Sequence, residues 1–523
     1  MLRDLRPFPV LFLSGIISLL LWAAFISLSR GWFPSHPPPF DSWQSGFFYD
    51  LPNRQMPTAW AVAFLTLLWA IVWFTLHRLN TTPTPATRRD LFLLLSFAFL
   101  FRILLWTSVP VHENDFYRYL WDGKVINAGI NPFLYEPGAL TLYELGYTEP
   151  VQIGGVTYRG RPWTFEDAFL LPRLLELRDH DPILFQRIGH PQVPTIYPPL
   201  AQAWFTVCHW LPGPPIWGLR LIILLFDIGI IALLLALLSK LHLSPWNILL
   251  YAWSPLVLKE FSNSLHYDAI PVFFLLLSLF LSLHLVPRWS IALAATASAL
   301  TKFFGGLLLP LLAPPSRRSS WLLYAIAILT FVLAYLPFFL WQDAGPTTVF
   351  QGLRTYSSDW ENNSGLFQLI SSVMDVLLPG KQATYLPAKQ VVGLLFLSLL
   401  AREIFTPTRD HQHLVEKCFR AMAWLFLLNP TAFPWYFTWV LPFLVLLPRS
   451  TQKVPWLILT GCLPFYNLTF HPHDYPLTRE GLLGFTGISA LTWLPFATSW
   501  GWVHRRSVIN QFENIPFVRD RSR

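Results

Sequence analysis

Charged residues are scarce in this chain, because Asp, Glu, Lys and Arg make up only 13% of its 523 residues. Soluble domains carry about a quarter charged residues, so the composition excludes an ordinary soluble protein. Hydrophobic residues make up 54% of the chain, and the mean hydropathy is +0.44. We therefore expect an all-α polytopic membrane protein.

The patterns that mark nucleotide-binding and nucleic-acid-binding proteins are also lacking. The chain has no Gly-rich phosphate loop, zinc-ligand spacing or basic helix. The net charge of +8 is better explained by Lys and Arg in cytoplasmic loops, so we expect no nucleic-acid partner. Cys208, Cys418 and Cys462 lie in or beside apolar runs, without metal spacing or a disulfide framework, and are expected to be packing residues.

Long apolar runs, in contrast, occur throughout the sequence and predict a bundle of about 11–13 membrane helices. These spans are expected near residues 8–29, 58–78, 90–109, 215–238, 246–259, 268–286, 321–341, 391–405, 418–433, 434–448, 455–469 and 482–503. Pro is frequent, at 46 residues, and predicts that some of these helices are broken.

Lys and Arg in the short connections set the expected orientation, since cytoplasmic loops are enriched in both. This orientation requires residues 289–312 to form a hairpin that enters and leaves the membrane on one side. Each arm has about a dozen residues and spans about 18 Å, which is too short for a hydrocarbon core of about 30 Å. The apex of the hairpin, residues 301–306, then places Lys302 at membrane depth.

The same orientation places the most polar segments together on the extracytoplasmic face. These segments are residues 110–198, 260–268, 342–390, 429–436 and 470–481. We expect a single membrane domain over residues 1–523, without an internal repeat or a separate soluble domain. Its parts are two N-terminal helices in 1–89, an extracytoplasmic catalytic loop in 110–198, a membrane bundle in 199–503 and a cytoplasmic tail in 504–523.

The most polar stretch of this kind is residues 112–124, directly after an apolar run. It contains the carboxylates Glu113 and Asp115, the cations Arg118 and Lys124, and the flat ring of Trp121. Ionisable groups at the mouth of a membrane helix are expensive and indicate a functional site. The composition also fits an interfacial loop whose aromatic and charged residues anchor a helix end.

Five further segments carry candidate site residues, and each also fits a structural role. Tyr197-Pro198-Pro199 holds Tyr197 extended where a helix starts. His266 and Asp268 could contact phosphate and sugar hydroxyls, bind a metal weakly, or lie in a solvated turn. Lys302 could pair with a lipid phosphate or reach the interface as an anchor. The segments 356–364 and 429–436 could stack on a sugar or serve only in packing.

Taken in order, these motifs resemble the GT-C superfamily of integral-membrane glycosyltransferases, most closely the bacterial polyprenol-phosphate-mannose-dependent mannosyltransferases. The likeness covers most of residues 90–450. It is carried by the segment 115–123, Gly129-Ile130-Asn131-Pro132, Tyr197-Pro198-Pro199, the turn His266 to Asp268, Lys302, Trp360-Glu361-Asn362-Asn363 and Pro434-Trp435-Tyr436. Two places depart from the family pattern: Asn114 stands where many relatives have an acid, and the turn before His266 lacks a Gly.

The resemblance implies a hexosyltransferase that moves a sugar, mannose by family likeness, from a polyprenyl-phosphate donor to a glycan or glycolipid acceptor. Asp115 would be the general base, with Glu113 beside it, and Arg118, Lys302 and His266 would bind the donor phosphate. The remaining substrate-binding residues would be Trp121, Asp122, Tyr197, Asp268, Trp360, Asn363, Trp435 and Tyr436. No cofactor or metal is required, although a divalent cation, Mg²⁺ or Mn²⁺, could sit near Glu113 and Asp115.

Two alternatives remain open at this stage. A secondary transporter would use Asp227, Asp268 and Lys302 as buried coupling groups, although no inverted repeat supports it. A lipid-linked polysaccharide polymerase or ligase would share the long extracytoplasmic loop and the polyprenyl substrate. For all three functions we expect a multi-pass protein surrounded by membrane lipids, in a bacterial plasma membrane with the site facing outside.

Overall fold

The computed structural model describes residues 7–29, 55–81, 85–111, 114–149, 151–153, 156–158, 164, 166–284, 286–377, 385–448, 450–470 and 485–513. This part of the chain is all-α apart from one short β-hairpin. Three long helices come first, and the first packs against the other two. They are α1 (Pro7–Ser29), α2 (Gln55–Thr81) and α3 (Arg88–Leu105). Thr87 and Asp90 form a reciprocal capping box at the start of α3.

Short helices follow in the Pro-rich region 110–198. They are α4 (Asp115–Asn127), α5 (Ala139–Glu144), α6 (Asp167–His180) and α7 (Pro182–Gln186). The antiparallel strands β1 (Val151–Ile153) and β2 (Val156–Tyr158) were not predicted, and they pair Val151 with Tyr158. Arg178 on α6 bonds Glu144 on α5, with Nη2 2.8 Å from Oε1. This pair ties the outer helices of the region together.

Proline shapes the next part of the chain, where α8 begins at Pro199 and α9 at Pro215. The predicted single span 246–259 is wrong, because Pro245 and Pro255 each start a new short segment, and the chain then runs into a π-helical turn. The elements are α8 (Pro199–Val207), α9 (Pro215–Lys240), α10 (Leu249–Ala252), α11 (Pro255–Val257), the π-turn (Leu258–Asn263) and α12 (Ala269–Ser282).

The predicted hairpin 289–312 is interrupted at its expected apex. Helix α13 (Trp289–Thr301) ends at Lys302, whose backbone is extended, and a 3₁₀ segment (Phe303–Leu308) leads into α14 (Leu309–Leu312). Gly305 permits this close turn, because a Cβ there would lie 1.9 Å from Ser298 Oγ. The long helix α15 (Ser320–Leu340) follows.

Proline also breaks the last third of the chain. Instead of the predicted span 418–433, α20 begins at His411 and ends at Leu428, before Pro430. Residues 434–448 form a 3₁₀ turn (Pro434–Trp439) and a five-residue helix instead of a span. The helices are α16 (Gly345–Val349), α17 (Gln351–Asp359), α18 (Leu366–Leu377), α19 (Tyr385–Phe405), α20 (His411–Leu428), α21 (Leu441–Val445), α22 (Val454–Cys462) and α23 (Phe485–Glu513), with 3₁₀ turns at Trp341–Asp343, Thr451–Lys453 and Leu463–Phe470.

Four helices within the described ranges are long and apolar enough to cross a membrane. They are Pro7–Ser29, Thr58–Thr81, Pro215–Lys240 and Ser320–Asp343. Large apolar side chains lie exposed along them, including Leu20, Phe74, Leu225 and Leu322. An extended exposed apolar surface is costly in water and favourable against lipid, so the fold is compatible with a membrane-embedded protein.

Candidate active site

A cavity of about 820 Å³ lies where the Pro-rich loop meets the helical bundle. Its wall comes from the start of α4, residues 189–198, the apex near Lys302, residues 356–362 and the turn at Pro434. Small-molecule sites usually occupy about 300–1,000 Å³, so a sugar phosphate would fit. Seven predicted site residues line the cavity: Asp115, Arg118, Tyr197, Lys302, Trp360, Trp435 and Tyr436.

Asp115 is the first residue of α4, where a carboxylate is favoured by the helix dipole. Its side chain is 34% exposed, and Oδ2 lies 3.5 Å from the Tyr119 hydroxyl. The chain approaches closely at this point, since a Cβ on Gly189 would lie 2.9 Å from Asn114 Oδ1. Asp115 is therefore held at the cavity wall with room for a substrate. Glu113, the predicted companion acid, lies outside the described residues.

Arg118, one helical turn after Asp115, is buried at the cavity wall and held from two sides. Its Nε donates to Asp122 Oδ1 at 2.8 Å, and Nη1 donates to the Val193 carbonyl at 2.9 Å. Within the described ranges, Nη2 has no hydrogen-bond partner. A buried unsatisfied donor of a charged group is costly unless a ligand oxygen can occupy it.

Asp122 and Trp121 do not line this cavity, although both are predicted to bind substrate. Asp122 is buried and accepts hydrogen bonds from Arg118, Thr195 and Gln202 Nε2. Trp121 packs edge-on against Phe185. Asp122 therefore orients the guanidinium of Arg118, and the ring of Trp121 serves packing.

Lys302 reaches the cavity wall, but its charge is already paired. Its Nζ lies 2.7 Å from Asp268 Oδ1 and within about 5 Å of the ring centres of Tyr436, Tyr267 and Trp439. Asp268 is fully buried, and Oδ1 also accepts the Trp439 indole N–H at 2.6 Å. Asp268 thus fixes Lys302 and does not itself reach the cavity wall.

His266 lies behind the wall and not on it. The residue is fully buried, its ring stacks on Trp435 with centres 4.1 Å apart, and Nε2 lies 3.9 Å from Asp115 Oδ2. On the opposite edge, Nδ1 lies 3.0 Å from Glu260 Oε2. The predicted contact of His266 with a donor phosphate would therefore be indirect, through Asp115 or Trp435.

Two loops join to form the aromatic side of the cavity. The Asn362 amide N–H donates to Pro430 O, and Ala432 N–H donates back to Asn362 O, at 3.0 and 2.9 Å. Asn363 is buried with a left-handed backbone and donates to the Ala432 carbonyl. It therefore joins the loops instead of lining the cavity. The Tyr356 and Tyr436 hydroxyls meet at 2.8 Å.

Several residues of the site were given no individual role from the sequence. They are Glu260, behind His266, and the cavity residues Tyr119, His190, Tyr267, Tyr356 and Trp439. The signals were present for two of them: Glu260 follows Lys259 at the end of an apolar run, and His190 stands between Gly189 and Pro191. The aromatic residues give no such signal among 25 Trp, 17 Tyr and 44 Phe.

His190 lies in the Pro-rich loop, outside the helices long enough to cross a membrane, and its ring meets Trp360 edge-on with centres 4.7 Å apart. The His190 ring is exposed but loses part of its surrounding water, which lowers its pKa below the usual 6.5; Asp115 opposes this shift, and Arg118 adds to it. The ring is therefore neutral at physiological pH. It can accept or donate one hydrogen bond to a polar ligand.

The arrangement can bind an anion at Arg118, accept a proton at Asp115 and stack a sugar on aromatic rings. In the residues that the structure describes, no group of three or more His, Cys, Asp or Glu side chains is placed to hold a metal ion. No family model, no curated protein and no solved structure matches this chain.

Proposed function

We propose that the chain is a membrane-embedded glycosyltransferase of the GT-C type. It would transfer a hexose, mannose by the resemblance, from a polyprenyl-phosphate donor to a hydroxyl of a glycan or glycolipid. The protein would be a bundle of about 11–13 membrane helices in a bacterial plasma membrane, with the cavity on the outer face. The resemblance and the exposed apolar helices support this reading.

One observation carries the proposal: a base and an incompletely bonded cation share one cavity wall. Asp115 lines the cavity with a third of its side chain exposed, and Arg118 lies three residues further along the same helix. The Nη2 of Arg118 lacks a partner within the described part of the chain. A phosphate oxygen would satisfy this donor, and guanidinium groups match phosphate geometry well.

The proposed reaction is a single displacement at the anomeric carbon of the donor sugar. The acceptor oxygen forms a bond to that carbon, while the carbon–oxygen bond to phosphate breaks and its electron pair stays on the phosphate. Asp115 takes the proton of the acceptor hydroxyl. Arg118 and Lys302, which both line the cavity, stabilise the charge that develops on the phosphate. The resemblance implies inversion at the anomeric carbon.

The sugar would be held by the aromatic side of the cavity. Tyr197, Trp360, Trp435 and Tyr436 present flat faces and hydroxyls there, which suit the apolar faces and hydroxyl groups of a hexose. A divalent ion near Glu113 and Asp115 stays a prediction, and the mechanism above requires none.

Asp227, the residue that best supported a transporter, is bonded in a way that does not suit a coupling group. The carboxylate of Asp227 is buried and accepts from Arg102 Nε at 2.7 Å, from Arg102 Nη2 at 3.2 Å and from the Tyr251 hydroxyl at 2.9 Å. It does not line the cavity. A coupling group must exchange its ion or proton with solvent, which this closed pair disfavours. A polymerase or ligase would use the same cavity with a different donor.

The proposal is tested by turnover of radiolabelled polyprenyl-phosphate-mannose, with purified protein in detergent and crude membrane lipids as acceptor. Wild type should transfer the label, and Asp115→Asn should lose at least about 100-fold in turnover while keeping donor binding and abundance. Other polyprenyl-phosphate sugars form a second panel. If the wild type left every donor intact, the transferase reading would fail, and if Asp115→Asn kept full turnover, Asp115 would not be the base.

A further inference from the structure

A continuous row of ionisable groups runs from the cavity into the protein interior. It begins at Asp115, passes His266 and Glu260, and ends at Lys259. The Lys259 ammonium lies 3.2 Å from Glu260 Oε1, and Glu260 Oε2 lies 3.0 Å from His266 Nδ1. The last three members are all fully buried. Only Asp115 reaches the cavity.

The backbone that holds this row is unusual. Lys259 and Glu260 lie in the π-turn Leu258–Asn263, a rare structure that is frequent at functional sites. The next turn closes with Leu265 in the left-handed region at φ 63°, and His266 N–H donates to the Glu260 carbonyl at 2.9 Å. A strained turn therefore brings the His266 ring over the side chain of Glu260.

The geometry selects one tautomer of His266. Glu260 lies at Nδ1, so a neutral ring keeps its proton there and presents the Nε2 lone pair toward Asp115. Two acceptors repel, which agrees with the separation of 3.9 Å between Nε2 and Asp115 Oδ2. A single added proton would turn this repulsion into a hydrogen bond between the two groups.

We propose that Glu260 and His266 are positioning residues for the base Asp115: Glu260 orients the His266 ring, and His266 takes up the proton from Asp115 during transfer. This inference rests on the proposed glycosyltransferase function. It differs from a phosphate contact of His266, because the histidine acts only through Asp115. The pattern is that of a carboxylate that orients a histidine, which in turn serves the reacting group.

The protons balance along the row. The acceptor hydroxyl gives its proton to Asp115 as the new sugar–oxygen bond forms and the sugar–phosphate bond breaks. The proton then passes to His266 Nε2, and the resulting imidazolium lies between the carboxylates of Asp115 and Glu260. Trp435 covers the ring face, where a cation is also favoured. The proton leaves through Asp115 to solvent or to the departing phosphate, which restores the starting state.

Other charges also face Asp115, and the pH response includes them. Arg118 and the Tyr119 hydroxyl come from α4, His190 from the Pro-rich loop, and Lys302 with its partner Asp268 from the apex of the hairpin. None of these groups is altered in Glu260→Gln or His266→Gln. A change common to both variants therefore reports the row itself.

The first test measures protonation of Asp115 without any turnover. A hydrophobic carbodiimide labels protonated carboxyl groups, and peptide mass spectrometry reports labelling of Asp115 as a function of pH. Once His266 has taken up the added proton, its imidazolium stabilises the neighbouring Asp115 carboxylate, and His266→Gln removes this charge. We expect the labelling midpoint to rise by about one pH unit in His266→Gln and by less in Glu260→Gln.

The matched control is Glu403→Gln, which alters another buried glutamate paired with a cation, Arg420, at 2.8 Å. Its midpoint for Asp115 should equal that of the wild type. Midpoints unchanged in both His266→Gln and Glu260→Gln would overturn the inference. Glu260→Asp retains the charge and should restore a midpoint closer to the wild type, which separates a charge effect from misfolding.

The second test uses the sugar-transfer assay. Glu260→Gln should lower kcat about 10-fold or more with the donor KM nearly unchanged, and the acid limb of the pH profile should move upward. A rise in donor KM with unchanged kcat would instead indicate a phosphate contact and overturn the positioning role. If the wild type transferred no sugar but the labelling midpoints moved, the proposed function would fail while the linkage of Asp115 to His266 and Glu260 stood.

Discussion

Two buried arginine–aspartate pairs lie in the described part of the chain, and they differ in how completely the arginine is bonded. Arg102 donates to both oxygens of Asp227 and, through Nη1, to the carbonyls of Ala98 and Ala252 at 2.9 and 2.8 Å. Arg118 donates to Asp122 and to the Val193 carbonyl, while its Nη2 has no partner among the described residues. The first pair lies away from the cavity and the second at its wall.

The difference separates a structural charge from a functional one. A buried charge is tolerated when every nitrogen of the group has a partner, as in the first pair. An arginine that is firmly oriented but one partner short is prepared for a ligand, because its position needs no rearrangement on binding. In the sequence, Arg118 and Asp122 lie in the polar stretch 112–124, whereas Arg102 and Asp227 lie inside apolar runs, but neither context shows how completely each arginine is bonded.

The largest effect is expected when the closed pair is broken. Asp227→Leu leaves the Arg102 charge buried without its partner, so the free energy of unfolding should fall by about 3–5 kcal/mol. Denaturant unfolding of the detergent-solubilised protein measures this loss. The double variant Arg102→Leu/Asp227→Leu should recover most of it. Equal stability of the single variant and the wild type would show that the pair is not structural.

The next effect concerns the incompletely bonded arginine. Arg118→Lys keeps the charge but cannot donate to both Asp122 and Val193 while reaching a ligand, so sugar transfer should fall about 100-fold. The matched variant is Arg102→Lys, which should lower stability and leave the donor KM unchanged. Kinetics with varied donor concentration measure the turnover and the donor KM of both variants. The comparison of the two pairs would be refuted if Arg102→Lys and Arg118→Lys changed donor KM alike.

Local signals predicted much of this site. Pro199 starts a helix as expected, the chain breaks at Lys302, and Asp115, Arg118 and the aromatic residues of distant segments meet at one cavity. These features depend on where prolines stand and on polar residues beside apolar runs. Both signals can be seen in short windows of sequence.

What the sequence could not predict depends on tertiary partners. The sequence does not show that Thr195 and Gln202 hydrogen-bond to Asp122. It also does not show that Glu260, the neighbour of Lys259, lies against His266. The span 246–259 has the right hydropathy for a helix, but Pro245 and Pro255 divide it into short turns. Hydropathy along the sequence predicts which segments are buried, whereas the partners of each polar side chain are known only from the folded structure.

A smaller effect should come from removing one hydroxyl from each pair. Thr195 donates to Asp122, and Tyr251 donates to Asp227 at 2.9 Å. Thr195→Val and Tyr251→Phe should each cost about 1 kcal/mol of unfolding free energy, the net worth of a hydrogen bond. Only Thr195→Val should also raise the donor KM, because Asp122 then holds Arg118 less firmly. If Thr195→Val and Tyr251→Phe changed the donor KM equally, the two arginine–aspartate pairs would not differ in function.

The smallest effect is the loss of stability in mild acid that comes from His190, near Arg118. His190 lies beside the cavity with a pKa below 6.5, so the folded state binds fewer protons there than the unfolded chain. The contribution of neutral His190 to the free energy of unfolding is therefore fully retained above about pH 6.5, and it is lost as the pH falls through the folded-state pKa. His190→Asn suits the left-handed backbone at φ 53° and cannot take up this proton. Unfolding measured at pH 7 and pH 5 should show a slightly smaller acid loss in this variant, since solvent at the exposed ring screens the effect. An equal or larger acid loss would assign the titration to another group.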